Sequence, residues 1–116
     1  MGSNNGKNSS EATEAVQKEI ASEKVVVFSK TYCPYCANTK KLLSSSGVSA
    51  KIIEINLEPD QGKMTQAALL SLTSQRTVPN IFIGGKHVGG DDAIQNLART
   101  GGLKPLLEEA GVPNII

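Results

Sequence analysis

Cys33 and Cys36 are the only cysteines of the chain, and they stand two residues apart in Cys33-Pro34-Tyr35-Cys36. Two thiols at that spacing on a helix start can open and close a disulfide, which is redox chemistry. The apolar run Val25-Val26-Val27-Phe28 precedes them and reads as a buried strand. Pro34 suits the first turn of a helix, so Cys33 falls at its cap. There the free N–H groups and the helix dipole favour a thiolate, and Lys30 just upstream adds a positive charge. Only the thiolate is a nucleophile, so Cys33 is the expected attacking thiol. Cys36, one turn in and more buried, is expected to attack a mixed disulfide on Cys33 and release its partner. Tyr32 and Tyr35 flank Cys33 and supply the aromatic surface, the chain having no tryptophan.

The bulk properties leave this reading open and close others. A length of 116 residues fits one domain, with residues 1–10, rich in Gly, Asn and Ser, expected as a disordered tail and 11–116 as the folded unit. The formal net charge is +1, and no basic block points to nucleic acid. No stretch reaches the ~18 apolar residues that a membrane helix needs, so no membrane partner is expected. Two cysteines cannot make a secreted disulfide framework, and no signal or transit pattern opens the chain. A cytoplasmic location is therefore expected, with an organelle form that has lost a targeting segment as the alternative. A structural zinc site needs four ligands, and His87 is the only further soft one, on a distant segment, so no metal is expected.

The elements that must position the thiols follow from periodicity. Ala12, Val16 and Ile20 line a first helix, with Ser10 as its expected cap. Cys36, Thr39 and Leu43 share one face of the second helix, which stops at Gly47. The alternation of Ile53 to Glu58 predicts a strand, and Pro59-Asp60-Gln61-Gly62 a turn. Met64, Ala67, Ala68 and Leu72 predict a third helix with those four inward. Gly84-Gly85 between Ile81-Phe82-Ile83 and Lys86-His87-Val88 signals a hairpin. Asp91 and Asp92 open a fourth helix, Gly101-Gly102 ends it, and Leu103 to Ala110 forms a fifth. The order α-β-α-β-α-β-β-α-α, with a parallel first pair and an antiparallel last pair, gives an α/β fold: a mixed four-stranded sheet with helices on both faces.

Lys30-Thr31-Tyr32-Cys33-Pro34-Tyr35-Cys36 resembles the active site of a dithiol glutaredoxin. Arg76-Thr77-Val78-Pro79 resembles the Thr-Val-Pro segment of that family, Gly89-Gly90-Asp91-Asp92 its Gly-Gly-x-Asp/Ser motif, and Gly101-Gly102-Leu103 its late Gly-x-Leu turn. The similarity spans about residues 12 to 110. It implies a thioredoxin fold, a cis bond before Pro79 facing the cysteines, and glutathione as reducing co-substrate. In the family's pattern Lys30 and Gln66 meet the glycine carboxylate of glutathione. Thr77, Val78 and Pro79 pair with its backbone, and Gly90, Asp91 and Asp92 hold its γ-glutamyl end, with Tyr35 beside the thiols. Glutathionylated and disulfide-bonded proteins are the implied substrates of a monomeric enzyme. Ala93 stands where many members carry an acid, and Ala37 follows the cysteine motif. The alternatives are a thioredoxin-type enzyme, which would carry Trp-Cys-Gly-Pro-Cys, an iron–sulfur carrier, which Pro34 disfavours, and a noncatalytic glutathione-binding module.

Overall fold

The computed structural model describes residues 9–116. Its elements run α1 (Ser9–Ser22), β1 (Val25–Ser29), α2 (Pro34–Ser45), β2 (Lys51–Glu54), α3 (Pro59–Thr73), β3 (Asn80–Ile83), β4 (Lys86–Gly89), α4 (Asp91–Thr100) and α5 (Leu103–Glu109). The expected order holds. The four strands form one sheet in the order β2-β1-β3-β4. β1 is parallel to β2 and antiparallel to β3, and β3 and β4 form the antiparallel hairpin.

Side-chain alternation along β1 divides the core between the two faces. Val25 and Val27 pack with Leu43, Ile81, Ile83, Ile94, Leu103 and Leu107, under α2, α4 and α5. Val26 and Phe28 pack with Ala12, Val16, Ala68, Leu69 and Phe82, under α1 and α3. Phe28 and Phe82 meet edge to face with centroids 6.0 Å apart. Because both faces are covered, β1 is apolar throughout rather than alternating, which is why it was legible as a central strand.

Four local expectations are corrected. Residues 1–8 of the expected tail lie outside the described residues, but Ser9 and Ser10 already belong to α1, so Ser10 is not its cap. β2 covers Lys51–Glu54 rather than 53–58, because its length is set by pairing with Val26 to Ser29. Pro59 begins α3 instead of a turn: Pro at the first position and Asp60 in the first turn are favourable at a helix start. Gly62 is then needed for packing, since a Cβ there would lie 1.9 Å from the Ile55 carbonyl oxygen. Within α3, Ala68 and Leu69 are buried whereas Ala67 and Leu72 are exposed.

Candidate active site

Three chain segments meet at one end of the sheet. β1 and β2 are parallel, so both finish there, and antiparallel β3 begins there, with Phe28 opposite Asn80. The turn after β1 carries the thiols. The Cys33 N–H donates to the Lys30 carbonyl at 3.1 Å, which folds residues 30–33 into a tight turn. Cys33 is the N-cap of α2 in extended conformation, and its sulfur accepts the Cys36 N–H at 3.2 Å. A capping residue places its side chain on the orphan N–H groups of the first turn, and this sulfur occupies that seat. The Cys33 thiol also lies 3.7 Å from the Val78 carbonyl oxygen, to which it donates.

Cys33 is half-buried and Cys36 fully buried, and neither thiol is bonded to the other. Burial, and next the Cys33 side chain, push the Cys36 thiol above its ordinary 9.0. Hydrogen bonds from the Lys30 backbone and the Ser29 hydroxyl act the other way. Ser29 is itself fully buried at the end of β1. It shares the sheet face of Val25 and Val27, the face on which α2 packs.

The Val78–Pro79 peptide is cis, as the family resemblance implied. Its loop is held by side chains from α3 and its C-terminal turn. Gln66 donates to the Arg76 carbonyl at 3.0 Å, and Gln75 donates to the carbonyls of Thr77 and Pro79 at 3.0 and 2.9 Å. Gly90 lies against this loop: a Cβ on it would be 3.5 Å from the Pro79 carbonyl oxygen. Gly90 is the N-cap of α4. Thus Cys33, Val78 and Gly90 come together over the buried Pro79, at the N-termini of α2 and α4.

The remaining expected site residues fall into two groups. Lys30 is half-buried at the end of β1, while Tyr35, Thr77 and Asp92 are exposed. Asp91 is buried, and its carboxylate accepts from the Thr39 hydroxyl at 2.8 Å and from Gln95 at 3.1 Å. Its side chain therefore ties α4 to α2, and only its backbone faces the site as a helix start does. Sequence reasoning missed Ser29, Thr39 as a partner of Asp91, Gln75, and Asn56. Asn56 accepts from the Thr31 N–H at 2.9 Å and donates to the Thr31 hydroxyl at 2.8 Å, clamping the cysteine turn to the end of β2. Ser29 and Thr39 left a signal, as polar residues in apolar-facing positions; Gln75 and Asn56 left none that composition or period exposes.

Comparison with known proteins gives these features a family. The glutaredoxin family model matches residues 25–88, a stretch that holds the thiols and the Val78–Pro79 loop. Glutaredoxin-C2 of Arabidopsis thaliana is 52% identical over 100 residues, covering 86% of this chain and 89% of its own. A glutaredoxin of Solanum lycopersicum is 56% identical over 98 residues, covering 84% and 90%. Among solved structures, a buckwheat glutaredoxin–glutathione complex superposes with a TM-score of 0.85 at 48% identity, covering 89% of this chain and 93% of that one. A sheet, a thiol pair and a cis-proline loop so arranged, matched over this much sequence, mean that the chain belongs to the glutaredoxin family of thiol–disulfide oxidoreductases.

Proposed function

We propose that this enzyme uses glutathione to reduce protein–glutathione mixed disulfides and protein disulfides, with Cys33 as nucleophile and Cys36 as resolving thiol. The observation that carries the reading is the seat of the Cys33 sulfur, on the Cys36 N–H and against the Val78 carbonyl. The likeness to a glutaredoxin solved with glutathione supports the co-substrate.

In the first cycle the Cys33 thiolate attacks the glutathione sulfur of a protein–glutathione disulfide. That S–S bond breaks, and the protein thiolate leaves and takes up a proton. Cys33 now carries glutathione. A second glutathione, as thiolate, attacks the glutathione sulfur on Cys33, which restores the Cys33 thiolate and releases oxidised glutathione. In the second cycle Cys33 attacks a protein disulfide, and one protein thiol departs. Cys36 loses its proton and attacks the Cys33 sulfur, which frees the other protein thiol and closes the Cys33–Cys36 disulfide. Two glutathiones reopen it. Burial opposes ionisation of Cys36, and the Ser29 hydroxyl and the Lys30 backbone offset part of that cost.

Glutathione lies on the surface from Lys30 to α4. The Val78 backbone pairs with its cysteine residue as a sheet edge does, flanked by Thr77 and Pro79. Lys30 and the second N–H of the Gln66 amide meet the glycine carboxylate, and Tyr35 borders the sulfur. The N–H groups at Gly90, Asp91 and Asp92 receive the γ-glutamyl carboxylate, and the Asp92 carboxylate its ammonium.

The test is glutathione-dependent reduction of a small glutathione mixed disulfide, coupled to glutathione reductase, by wild type, Cys33→Ser and Cys36→Ser. Cys33→Ser is expected to be inactive and Cys36→Ser to keep turnover. A wild type that is inert with glutathione but reduced by thioredoxin reductase would overturn the co-substrate.

A further inference from the structure

The glutathione side of the site uses one flank of the Cys33 turn, and the other flank has no assigned role. The strand order fixes which is which. β3, with Val78 and Pro79 before it, adjoins β1 on one side, and β2, with Asn56 after it, adjoins β1 on the other. The two Thr31–Asn56 hydrogen bonds, at 2.9 and 2.8 Å, bring the cysteine turn and the end of β2 together. Each bonded residue is followed directly by a large exposed side chain: Tyr32 is 71% exposed and Leu57 68%. Two large exposed side chains therefore follow clamped backbone positions, and one of them, Tyr32, directly precedes the nucleophile.

We propose that Tyr32 and Leu57 form the docking surface for the protein half of the disulfide substrate, and that they take an apolar side chain within about two residues of its disulfide cysteine, a reach of roughly 7 Å along an extended chain. The proposal rests on Cys33 as the attacking thiol. The reaction itself supplies the occupant, because the departing protein sulfur must come close to Cys33 and brings its own chain with it. Glutathione and the Gly90–Pro79 contact close the Val78 flank, so that chain lies on the flank of β2. The partner is selected by apolar contact rather than charge at this point. Glu58 and Asp60, exposed just beyond Leu57, disfavour an acidic neighbour and leave an apolar one unopposed.

Two glutathionylated peptides, identical except for Leu or Asn beside the modified cysteine, test this with wild type, Leu57→Asn and Leu57→Met. Wild type is expected to prefer the Leu peptide about five- to tenfold in kcat/KM, the size of one partly buried apolar contact. Leu57→Asn should bring the ratio to about one, and Leu57→Met should keep it. A wild-type ratio near one, or a preference that survives Leu57→Asn, overturns the proposal. The same ratio is read without glutathione by letting symmetric disulfides of the two peptides compete for Cys33 in Cys36→Ser, where one peptide stays on Cys33 and its twin leaves as a thiol, and weighing the two enzyme–peptide disulfides by mass spectrometry. Enzyme inert toward glutathione in the first assay yet selective in the second would overturn the co-substrate and uphold the docking surface.

Discussion

The Thr39 hydroxyl donates to the Asp91 carboxylate across 2.8 Å, and both residues are buried. This bond joins the helix that carries the thiols to the helix whose start faces them. Thr39 lies one turn beyond Cys36 on the same inward face of α2. The spacing between the two helix N-termini is thus set by a side-chain pair, in addition to apolar packing of Leu43 and Ile94.

Thr39→Val keeps the shape and removes the donor. The carboxylate then retains Gln95 as its hydrogen-bond donor, at 3.1 Å. Loss of a buried hydrogen bond to a charged group costs about 1.5–3 kcal/mol, and urea unfolding should show a loss of that size. An unchanged midpoint would mean that water or a shifted amide replaces the hydroxyl at no cost.

The raised Cys36 thiol makes stability depend on pH in a definite direction. A thiol that holds its proton more tightly when folded contributes stability below the unfolded value. That contribution is lost as pH rises past the ordinary 9.0 and through the higher folded value. Reduced wild type should therefore lose stability relative to Cys36→Ser as pH is raised from neutral to above 9.0. Paired urea titrations read the difference, which cancels the other titrating groups. A gap that stays constant would show that the buried thiol ionises as freely as in the unfolded chain.

Gln75 holds the loop that is proposed to pair with glutathione. Gln75→Ala releases the carbonyls of Thr77 and Pro79 and touches neither thiol. Two side-chain hydrogen bonds of this kind contribute on the order of 1 kcal/mol each, so KM for glutathione should rise by up to about thirtyfold. The rate of alkylation of Cys33 by iodoacetamide should hold. If alkylation slows as KM rises, the loop supports the nucleophile rather than the co-substrate.

The parts of the site that were legible before the structure are those whose residue types act locally. Cys33 at a helix cap and, outside the site, the Gly84-Gly85 hairpin follow from what those side chains allow the backbone to do, whereas the cis bond at Pro79 was implied by the family resemblance. The apolar run of β1 and the shared face of Cys36, Thr39 and Leu43 are periodicities, and both held. What stayed hidden depends on partners distant in sequence. Pro59 to Gly62 has the composition of a turn as well as of a helix start, and the packing of Gly62 against the Ile55 carbonyl is not readable locally. β2 is bounded by its register with β1 rather than by its own alternation. Asp91 was legible as part of a helix start, but not the threonine 52 residues away that takes its side chain inward.

The sheet gives the molecule a working pole and a quiet one. Val25 pairs with Ile83 and Phe28 with Asn80, so the Gly84–Gly85 tip lies beside the start of β1, roughly 15 Å along the strands from the thiol end. Lys86, next to that tip, is exposed. An enzyme anchored to an electrode or bead through the hairpin would present its thiols outward, with the sheet as a rigid post between support and solution.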